Sequence, residues 1–423
     1  MNRELTAQQR LHEDAVKREI SEVSDLKASE SRLKAQWFEG RGIPAAAGRL
    51  RVTVVSDAVL GRNGVGTYYA DLVCHLESMV DWIHLIGPMP TRDRLLERFA
   101  VPMLGDSTQR LAFPKTRELY RRLNAQQPHV IVLPSLGPFS YAALRFAGRH
   151  QVPIALVNHT NFDHLIDLYW PGRFSRPLRS ALGRVQRWLI SRASGVAAMN
   201  VESLREARQV GAPLVRVMGT PVCASFLHTP RTEVSARSNR IIFVGRLAQE
   251  KKLEDVLNAA AKMPGNEFFV AGDGPMKAEV MRLAKELPNL HFLGWLNRER
   301  VLRAMDDADV LVLPSAFETF GTVALEALAR RRFVVVSRDC GISAWPTLSK
   351  GLFFIERGEV LADALERLAK MERSAREEHA MQSWLAVEDF NNHTLRGWLR
   401  FLVDVAGMQR EDASDSHVSE VQK

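Results

Sequence analysis

The chain has 423 residues, 46% of them hydrophobic and 25% charged, with a formal net charge of +8. The length favours two domains plus extensions, and the composition is that of a globular protein, which argues against disordered, collagen-like and disulfide-rich classes. Cys74, Cys223 and Cys340 are far apart and form no Cys-x-x-Cys pair, so neither a zinc site nor a disulfide framework is indicated. No apolar stretch reaches the roughly 18 residues of a spanning helix, and the charged N-terminus does not resemble a signal peptide. We therefore expect a protein that stays in the cytoplasm or lies on a membrane without crossing it.

The first predicted element is a helical extension over residues 1–45. Residues 1–41 contain eight acidic and eight basic side chains, and no Gly or Pro precedes Gly40. Apolar residues recur there at irregular three-to-four spacing, which predicts a helix but not a coiled coil. The helix either packs on the body of the protein or mediates self-association.

Short apolar runs then alternate with helical stretches, which predicts doubly wound α/β domains with parallel sheets. The first domain, residues 46–228, has predicted strands at 51–55, 82–86, 129–133, 153–157, 195–198 and 215–218. After a polar linker, 229–239, the second domain, residues 240–380, has predicted strands at 240–244, 267–270, 290–293, 309–313 and 333–337. A crossing helix at 381–408, expected to couple domain closure to catalysis, and a disordered tail at 409–423 complete the chain.

Charged residues and glycines follow the strands of the second domain, at the sheet edge where doubly wound folds bind ligands. Arg246 follows Gly245, and Lys251 comes five residues later. An arginine fork and a lysine ammonium suit a diphosphate, although such residues are also common on surfaces. Gly272 and Gly274 follow the next strand, either as an ordinary turn or as a place where backbone approaches a ligand.

The strongest motif is the segment 314–327, which follows a buried strand. A helix predicted to begin near Phe320 would present the free N–H groups of Phe320 and Gly321 to an anion. Glu318 precedes this helix and Glu326 lies about two turns into it, and carboxylates are acceptors suited to sugar hydroxyls. Two glutamates eight residues apart are usually solvated, but the complete segment at a strand-to-helix junction is uncommon.

Two motifs follow strands of the first domain. Gly64 and Gly66 come after the first strand and lack the Gly-x-Gly-x-x-Gly pattern of nicotinamide or flavin sites. His159 follows a later strand; an isolated histidine is more often structural, but its place at the cleft favours a functional role.

Together these motifs resemble the retaining, nucleotide-sugar-dependent glycosyltransferases of family four, which have the two-domain GT-B fold. The matching elements occur in family order over residues 240–341, and the segment around His159 is most similar to that of members that glycosylate membrane lipids. Two positions depart from the family: Arg330-Arg331-Arg332 replaces a Gly-x-Pro turn, and Cys340 precedes Gly341 where a double glycine is usual. Since both are expected near the donor, its identity stays open.

The resemblance implies a role for each matching residue. Arg246 and Lys251 would neutralise the diphosphate leaving group, assisted by backbone N–H groups of Phe320 and Gly321. Glu326 would hold the ribose hydroxyls, Glu318 the donor sugar, and His159 the transferred sugar near its reacting end. The glycines of the cleft, Gly64, Gly66, Gly245, Gly272 and Gly274, would leave room for donor and acceptor. Because fixed cations stabilise the leaving group, no metal or other cofactor is expected.

The positive charge of the first domain is concentrated between Asp167 and Glu202, where no acidic residue occurs. Basic and aromatic side chains alternate there with apolar ones, including Arg173, Arg176, Arg179, Arg184 and Trp188. This pattern predicts a basic amphipathic helix on an anionic membrane surface. The alternative is a helix that buries Leu182, Val185 and Leu189 in the domain while its arginines are merely solvated. No nucleic-acid recognition motif is present.

The sequence therefore predicts a cytoplasmic enzyme that is peripheral on the inner face of the cell membrane. It would move a hexose from a nucleoside diphosphate sugar to an acceptor, with a membrane lipid as the predicted acceptor. A soluble or polysaccharide acceptor is the first alternative. The second is a catalytically silent scaffold that binds nucleotide sugars.

Overall fold

The structure is a computed structural model. It describes residues 44–59, 64–88, 96–103, 106–134, 137–158, 175–228, 239–316 and 318–408. The predicted N-terminal helix with its self-association, nearly all of the linker, the tail, His159 and Arg173 lie outside the described residues.

The first domain contains a parallel sheet, as predicted. Its described strands follow the order β2-β1-β5-β6-β7-β8. They are β1 (Arg51–Val55), β2 (Trp82–Ile86), β5 (Val130–Leu133), β6 (Ile154–Asn158), β7 (Gly195–Ala198) and β8 (Val215–Val217). The central strands consist of small and β-branched apolar residues because helices cover both faces of the sheet.

Helices connect these strands and follow a short 3₁₀ helix, Ala45–Arg49. They are α1 (Gly64–Leu76), α2 (Thr116–Gln126), α3 (Pro138–His150), α4 (Ser175–Ile190), α5 (Val201–Val210) and α6 (Ala224–His228). The Asp57 carboxylate, just after β1, accepts hydrogen bonds from the N–H groups of Phe139 and Ser140 and so caps α3.

The second domain repeats the arrangement, with the described strands in the order β11-β10-β9-β12-β13-β14. They are β9 (Arg240–Val244), β10 (Glu267–Ala271), β11 (Leu290–Gly294), β12 (Val310–Leu313), β13 (Phe333–Val336) and β14 (Phe353–Phe354). The helices are α7 (Leu253–Lys262), α8 (Lys277–Glu286), α9 (Arg298–Asp306), α10 (Thr322–Ala329), α11 (Pro346–Ser349) and α12 (Leu361–Ala369), with 3₁₀ turns at Gln249–Lys251 and Gly341–Ala344. The predicted strands agree with these to within one residue at either end; β14 was not predicted.

An antiparallel hairpin in the first domain was also not predicted. It pairs β3 (Glu97–Met103) with β4 (Asp106–Pro114), and the rings of Phe99 and Phe113 stack across it at 4.5 Å. Its strands carry Pro102 and several charged residues, so they lack the apolar character of the buried parallel strands.

The last helix, α13 (Arg373–Val405), begins eight residues before the predicted crossing helix and joins the two domains. Its first half packs on α10 and α11, and its second half packs on α1 and β6. Trp398 donates a hydrogen bond to the Tyr68 hydroxyl at 2.8 Å, and Tyr68 donates to the Gly219 carbonyl at 2.9 Å. Within the described part of the chain, no helix is both long and apolar enough to cross a bilayer.

Candidate functional site

A cavity of about 590 Å³ lies between the two sheets and is lined by residues of both domains. The carboxyl ends of β9, β10 and β12 reach it from the second domain, while α1 and β4 reach it from the first. The predicted positions that line it are Gly64, Gly245, Arg246, Lys251, Gly272, Glu318, Gly321 and Glu326. The structure thus brings most of the predicted catalytic and donor-binding residues to one place.

The two predicted diphosphate-binding cations lie beside carboxylates. Arg246 follows β9 and its Nη1 donates to Glu250 Oε1 at 2.8 Å. Lys251, at the end of the following 3₁₀ turn, forms an ion pair with Glu318. Both cations are partly buried and line the cavity.

The glycines after β10 allow a close backbone contact, but the partner is another turn of the same chain. Gly272 and Gly274 have φ angles of +149° and +157°. A Cβ atom on Gly272 would lie 1.8 Å from the Gly245 carbonyl oxygen, and one on Gly274 would lie 2.5 Å from the Leu247 carbonyl oxygen. These glycines therefore let the turn after β10 pack directly on the turn that carries Arg246.

Helix α10 begins at Thr322, two residues later than predicted, with Gly321 as its N-cap at φ +92°. Glu326 is consequently little more than one turn into the helix. Phe320 turns its ring inward, where it is buried and stacks on Phe390 at 5.7 Å. The first backbone N–H groups of α10 therefore lie at the end of the helix that borders the cavity.

Arg298 and Asp71 belong to the site although the sequence did not indicate them. Arg298 Nη1 lies 2.9 Å from Glu326 Oε1, and its Nη2 donates to Asp71 Oδ2 at 2.6 Å. Glu326 and Asp71 are only 4% and 7% exposed. Burial raises the pKa of Glu326 to about 7; Arg298 opposes this shift and Asp71 adds to it. Burial likewise raises the pKa of Asp71 to about 6, against the effect of Arg298.

The two departures from the family pattern differ in where they lie: the arginine turn is not among the residues that line the cavity, whereas Cys340 lies beneath cavity-lining Gly321. The Arg330 guanidinium is fully buried and forms a bidentate pair with Asp306 at 2.7 and 2.8 Å. Arg332 donates to the carbonyls of Arg330 and Ala308. Cys340 is buried beneath Gly321, with its Sγ 3.7 Å from the Phe320 carbonyl. Arg330 and Arg332, which were expected near the donor, instead connect the ends of α9 and α10.

The residues that the first domain contributes to the cavity differ in part from those that the Gly64 and Gly66 motif predicted. Gly64 and Gly66 lie in the first turn of α1 rather than in a loop; Gly64 lines the cavity and Gly66 is buried. Arg110 on β4 also lines the cavity, where it forms a bidentate pair with Glu97 at 2.7 and 2.9 Å. Arg110 had no sequence signal, because the hairpin that carries it was not predicted.

The predicted basic helix is α4. Its described side chains expose Arg184 and Arg187 together with Val185 and Trp188, which are 44% and 39% exposed. The Arg192 guanidinium lies over the Trp188 ring, 4.9 Å from its centroid. Leu189 is buried, as the packing alternative requires, but Val185 is not. Arg176 and Arg179 lie on the same helix.

Two family profiles match the chain. The profile described as "Glycosyltransferase Family 4" matches residues 62–224, and "Glycosyl transferases group 1" matches residues 229–382. The first match covers most of the first domain, and the second covers the strands and helices that carry Arg246, Lys251, Glu318 and Glu326.

Curated relatives match parts of the chain. The sulfoquinovosyl transferase SQD2 of Arabidopsis thaliana is 29% identical over 226 residues, which are 51% of this chain and 44% of the relative. A GDP-mannose-dependent alpha-(1-6)-phosphatidylinositol dimannoside mannosyltransferase of Mycobacterium tuberculosis is 32% identical over 133 residues, 30% of this chain and 35% of the relative. The chain spans half or less of the length of the curated relatives it matches.

Solved structures share the fold at low sequence identity. Anabaena Alr3699/HepE in complex with UDP and glucose has a TM-score of 0.61 and 17% identity, over 83% of this chain and 98% of that chain. Sucrose-phosphate synthase from Thermosynechococcus elongatus has a TM-score of 0.60 and 16% identity, over 87% of this chain and 100% of that chain. This likeness, with the two parallel sheets that face one cavity, shows the GT-B fold. The two profile matches, which together cover most of the chain, show that it belongs to glycosyltransferase family four.

Proposed function

We propose that the protein is a retaining glycosyltransferase that moves a hexose from a nucleoside diphosphate sugar to a membrane lipid. One observation carries the transferase part of this proposal: Arg246, Lys251, Glu318 and Glu326 line a single cavity between two parallel sheets. Support comes from two relatives, a sulfoquinovosyl transferase and a phosphatidylinositol dimannoside mannosyltransferase, and from a structural neighbour that binds UDP and glucose.

The chemistry of the second domain suits departure of a nucleoside diphosphate. Negative charge grows on the diphosphate as the sugar leaves, and fixed cations and N–H groups stabilise that charge in a site from which water is largely excluded. Arg246, Lys251 and the N-terminus of α10 are the groups that would act in this way, so the proposed reaction uses no metal. Glu326 would accept hydrogen bonds from the ribose hydroxyls.

The Lys251–Glu318 pair has a further consequence for the donor. A lysine ammonium has three N–H donors, so Lys251 can bind a phosphate oxygen while it retains Glu318. Glu318 is thereby held beside the diphosphate, where its second oxygen can accept a hydroxyl of the donor sugar. The pair would align the sugar with its leaving group.

The lipid part of the proposal is supported by α4. Its exposed Arg184, Arg187, Val185 and Trp188 combine positive charge with apolar surface, a combination that favours anionic bilayer interfaces. Peripheral membrane binding through α4 would bring the cleft close to a lipid acceptor.

The test is nucleoside diphosphate release by the purified protein with UDP-, GDP- and ADP-sugars, with and without vesicles of bacterial lipid extract. We expect release with one donor class, stimulated by lipid, and its loss in Lys251→Ala and Glu318→Ala. The matched controls are Lys285→Ala and Glu286→Ala, both at exposed positions of α8. Retention is checked by NMR of the anomeric proton of the product.

Two other outcomes would replace the proposal. Equal turnover of a soluble glycan acceptor without lipid would favour the soluble-acceptor alternative. Nucleotide binding without turnover of any donor would favour a silent nucleotide-sugar-binding scaffold.

A further inference from the structure

Arg298 connects the two walls of the cavity. It is the first residue of α9, immediately after the N-cap Asn297, whose side chain accepts a hydrogen bond from the Arg300 N–H. From there the guanidinium reaches Glu326 on α10 with one terminal nitrogen and Asp71 on α1 with the other. Glu326 and Arg298 belong to the second domain, whereas Asp71 belongs to the first.

The surroundings of Arg298 restrict where the guanidinium can lie. Its Cζ sits 5.0 Å from the centroid of the Phe226 ring, which is fully buried. Cys223, just ahead of α6, interacts with Asp71 and acts to lower the pKa of that carboxyl. A planar fork stacked on a ring and bonded at both tips has little rotational freedom. Its geometry therefore fixes the two carboxylates it contacts.

One positive charge is shared between two buried negative charges. An isolated buried carboxylate is strongly disfavoured, and a single guanidinium only partly compensates for two of them. The ionisable groups that shift the pKa of Glu326 are Arg298, which lowers it, and Asp71, which raises it. Whatever removes Arg298 should make Glu326 harder to ionise, and whatever removes the Asp71 charge should make it easier.

We propose that Arg298 is a positioning residue that holds Glu326 in place for the donor ribose, and that Asp71 of the opposite domain competes for the same guanidinium. This rests on the proposed function, in which Glu326 binds the ribose. An ionised carboxylate has about four acceptor positions, so Glu326 can retain Arg298 while it accepts ribose hydroxyls. A protonated Glu326 would lose most of that capacity.

The test measures binding of UDP, GDP and ADP, each separately, by titration calorimetry between pH 5.5 and 9. For the nucleotide that the wild-type protein binds, Arg298→Gln should weaken affinity at pH 7 by about tenfold, because a charge-assisted contact to Glu326 is lost. The acid limb of the binding profile is the range in which affinity falls because Glu326 becomes protonated. In this variant the acid limb should move to higher pH. Asp71→Asn, which keeps the shape of the side chain, should move the acid limb to lower pH.

Two further variants and a folding control separate a positioning role from a structural one. Arg298→Lys keeps the charge and should restore the acid limb toward the wild-type position while affinity stays reduced. Arg303→Gln, on the exposed face of the same helix, should leave affinity and profile unchanged. Thermal melts of each variant check that it is folded.

The outcomes are distinguishable. Opposite shifts in Arg298→Gln and Asp71→Asn support the proposal. Nucleotide binding by the wild-type protein with no shift, or with shifts in the same direction, overturns the role of Arg298 and leaves the proposed function standing. Absence of binding of all three nucleotides to the wild-type protein overturns both.

Discussion

The two domains build their halves of the cavity in different ways. In the second domain many of the contributing residues lie within a few positions of a strand end, as in Gly245, Arg246 and Gly272. In the first domain they come from a helix face and a hairpin, as in Asp71 and Arg110. The second half is thus encoded by short, local junctions, and the first half by the tertiary arrangement of elements distant in sequence.

The two halves of the cavity should differ most in how much stability is lost when one of their glycines is replaced by alanine. Gly272→Ala should destabilise the protein by about 4 kcal/mol, because its φ of +149° and the nearby Gly245 carbonyl leave no room for a Cβ. Gly64→Ala, with open space around its Cβ, should change stability by about 0.5 kcal/mol or less. Urea unfolding measures both, and equal losses would contradict the contrast between the halves.

A second contrast concerns two of the arginines that line the cavity, Arg246 of the second domain and Arg110 of the first. Arg246→Gln should lower kcat/KM for the donor by about a hundredfold, because the proposed leaving group loses a fixed cation. Arg110→Gln, which keeps an N–H donor toward Glu97, should leave donor hydrolysis nearly unchanged and raise the KM of the acceptor. Steady-state kinetics with each substrate varied in turn tests this pair. A larger effect of Arg110→Gln on donor hydrolysis would show that the first domain also binds the diphosphate.

A third, smaller effect concerns membrane binding by the first domain. Each basic side chain near an anionic bilayer contributes about 1 kcal/mol, so Arg184→Glu with Arg187→Glu should weaken vesicle binding by tenfold or more. Arg282→Glu with Arg303→Glu makes the same charge change on exposed positions of the second domain and is the control. Sedimentation with phosphatidylglycerol vesicles measures both; an equal loss would indicate attraction by net charge alone.

The smallest expected effect is a pH dependence of stability that is due to Glu326, which lies where the two halves of the cavity meet. The pKa of Glu326 is raised to about 7 from an ordinary value of 4.5, so the folded state holds that proton more tightly than the unfolded state. The resulting stabilisation is complete below pH 4.5 and is lost as the pH rises through 7. Relative to Glu326→Gln, the wild-type Tm should therefore fall by a few degrees between pH 5 and pH 8, as about 1 kcal/mol corresponds to 2–4 °C. Glu286→Gln is the exposed control in calorimetry.

The parallel strands could be predicted because each is a short run in which apolar residues predominate. Runs such as Val310–Leu313 and Phe333–Val336 are apolar throughout, which is required of strands covered on both faces. The site residues at their ends followed from the same pattern, since parallel strands end at one edge of the sheet. The start of α10 was misplaced by two residues because Gly321 acts as its N-cap, in a left-handed conformation that the sequence does not specify.

Arg298 and Asp71 could not be predicted, for a different reason. Arg298 lies in the run Asn297-Arg298-Glu299-Arg300, and such a charged helix start usually faces solvent. Asp71 occupies one position in a mainly apolar helix. Each becomes part of the site only when α9 and α1 meet across the cavity, a contact between residues more than 220 positions apart.

The long helix α13 ties the folding of the first domain to the end of the described chain. Trp398, Phe401 and Leu402 are fully buried and belong to the core of the first domain, although they follow the whole of the second domain in sequence. On a ribosome, domains generally fold in order of synthesis. Here we expect the first domain to remain protease-sensitive in nascent chains until residue 405 has emerged, so that its core closes only after the second domain has been made.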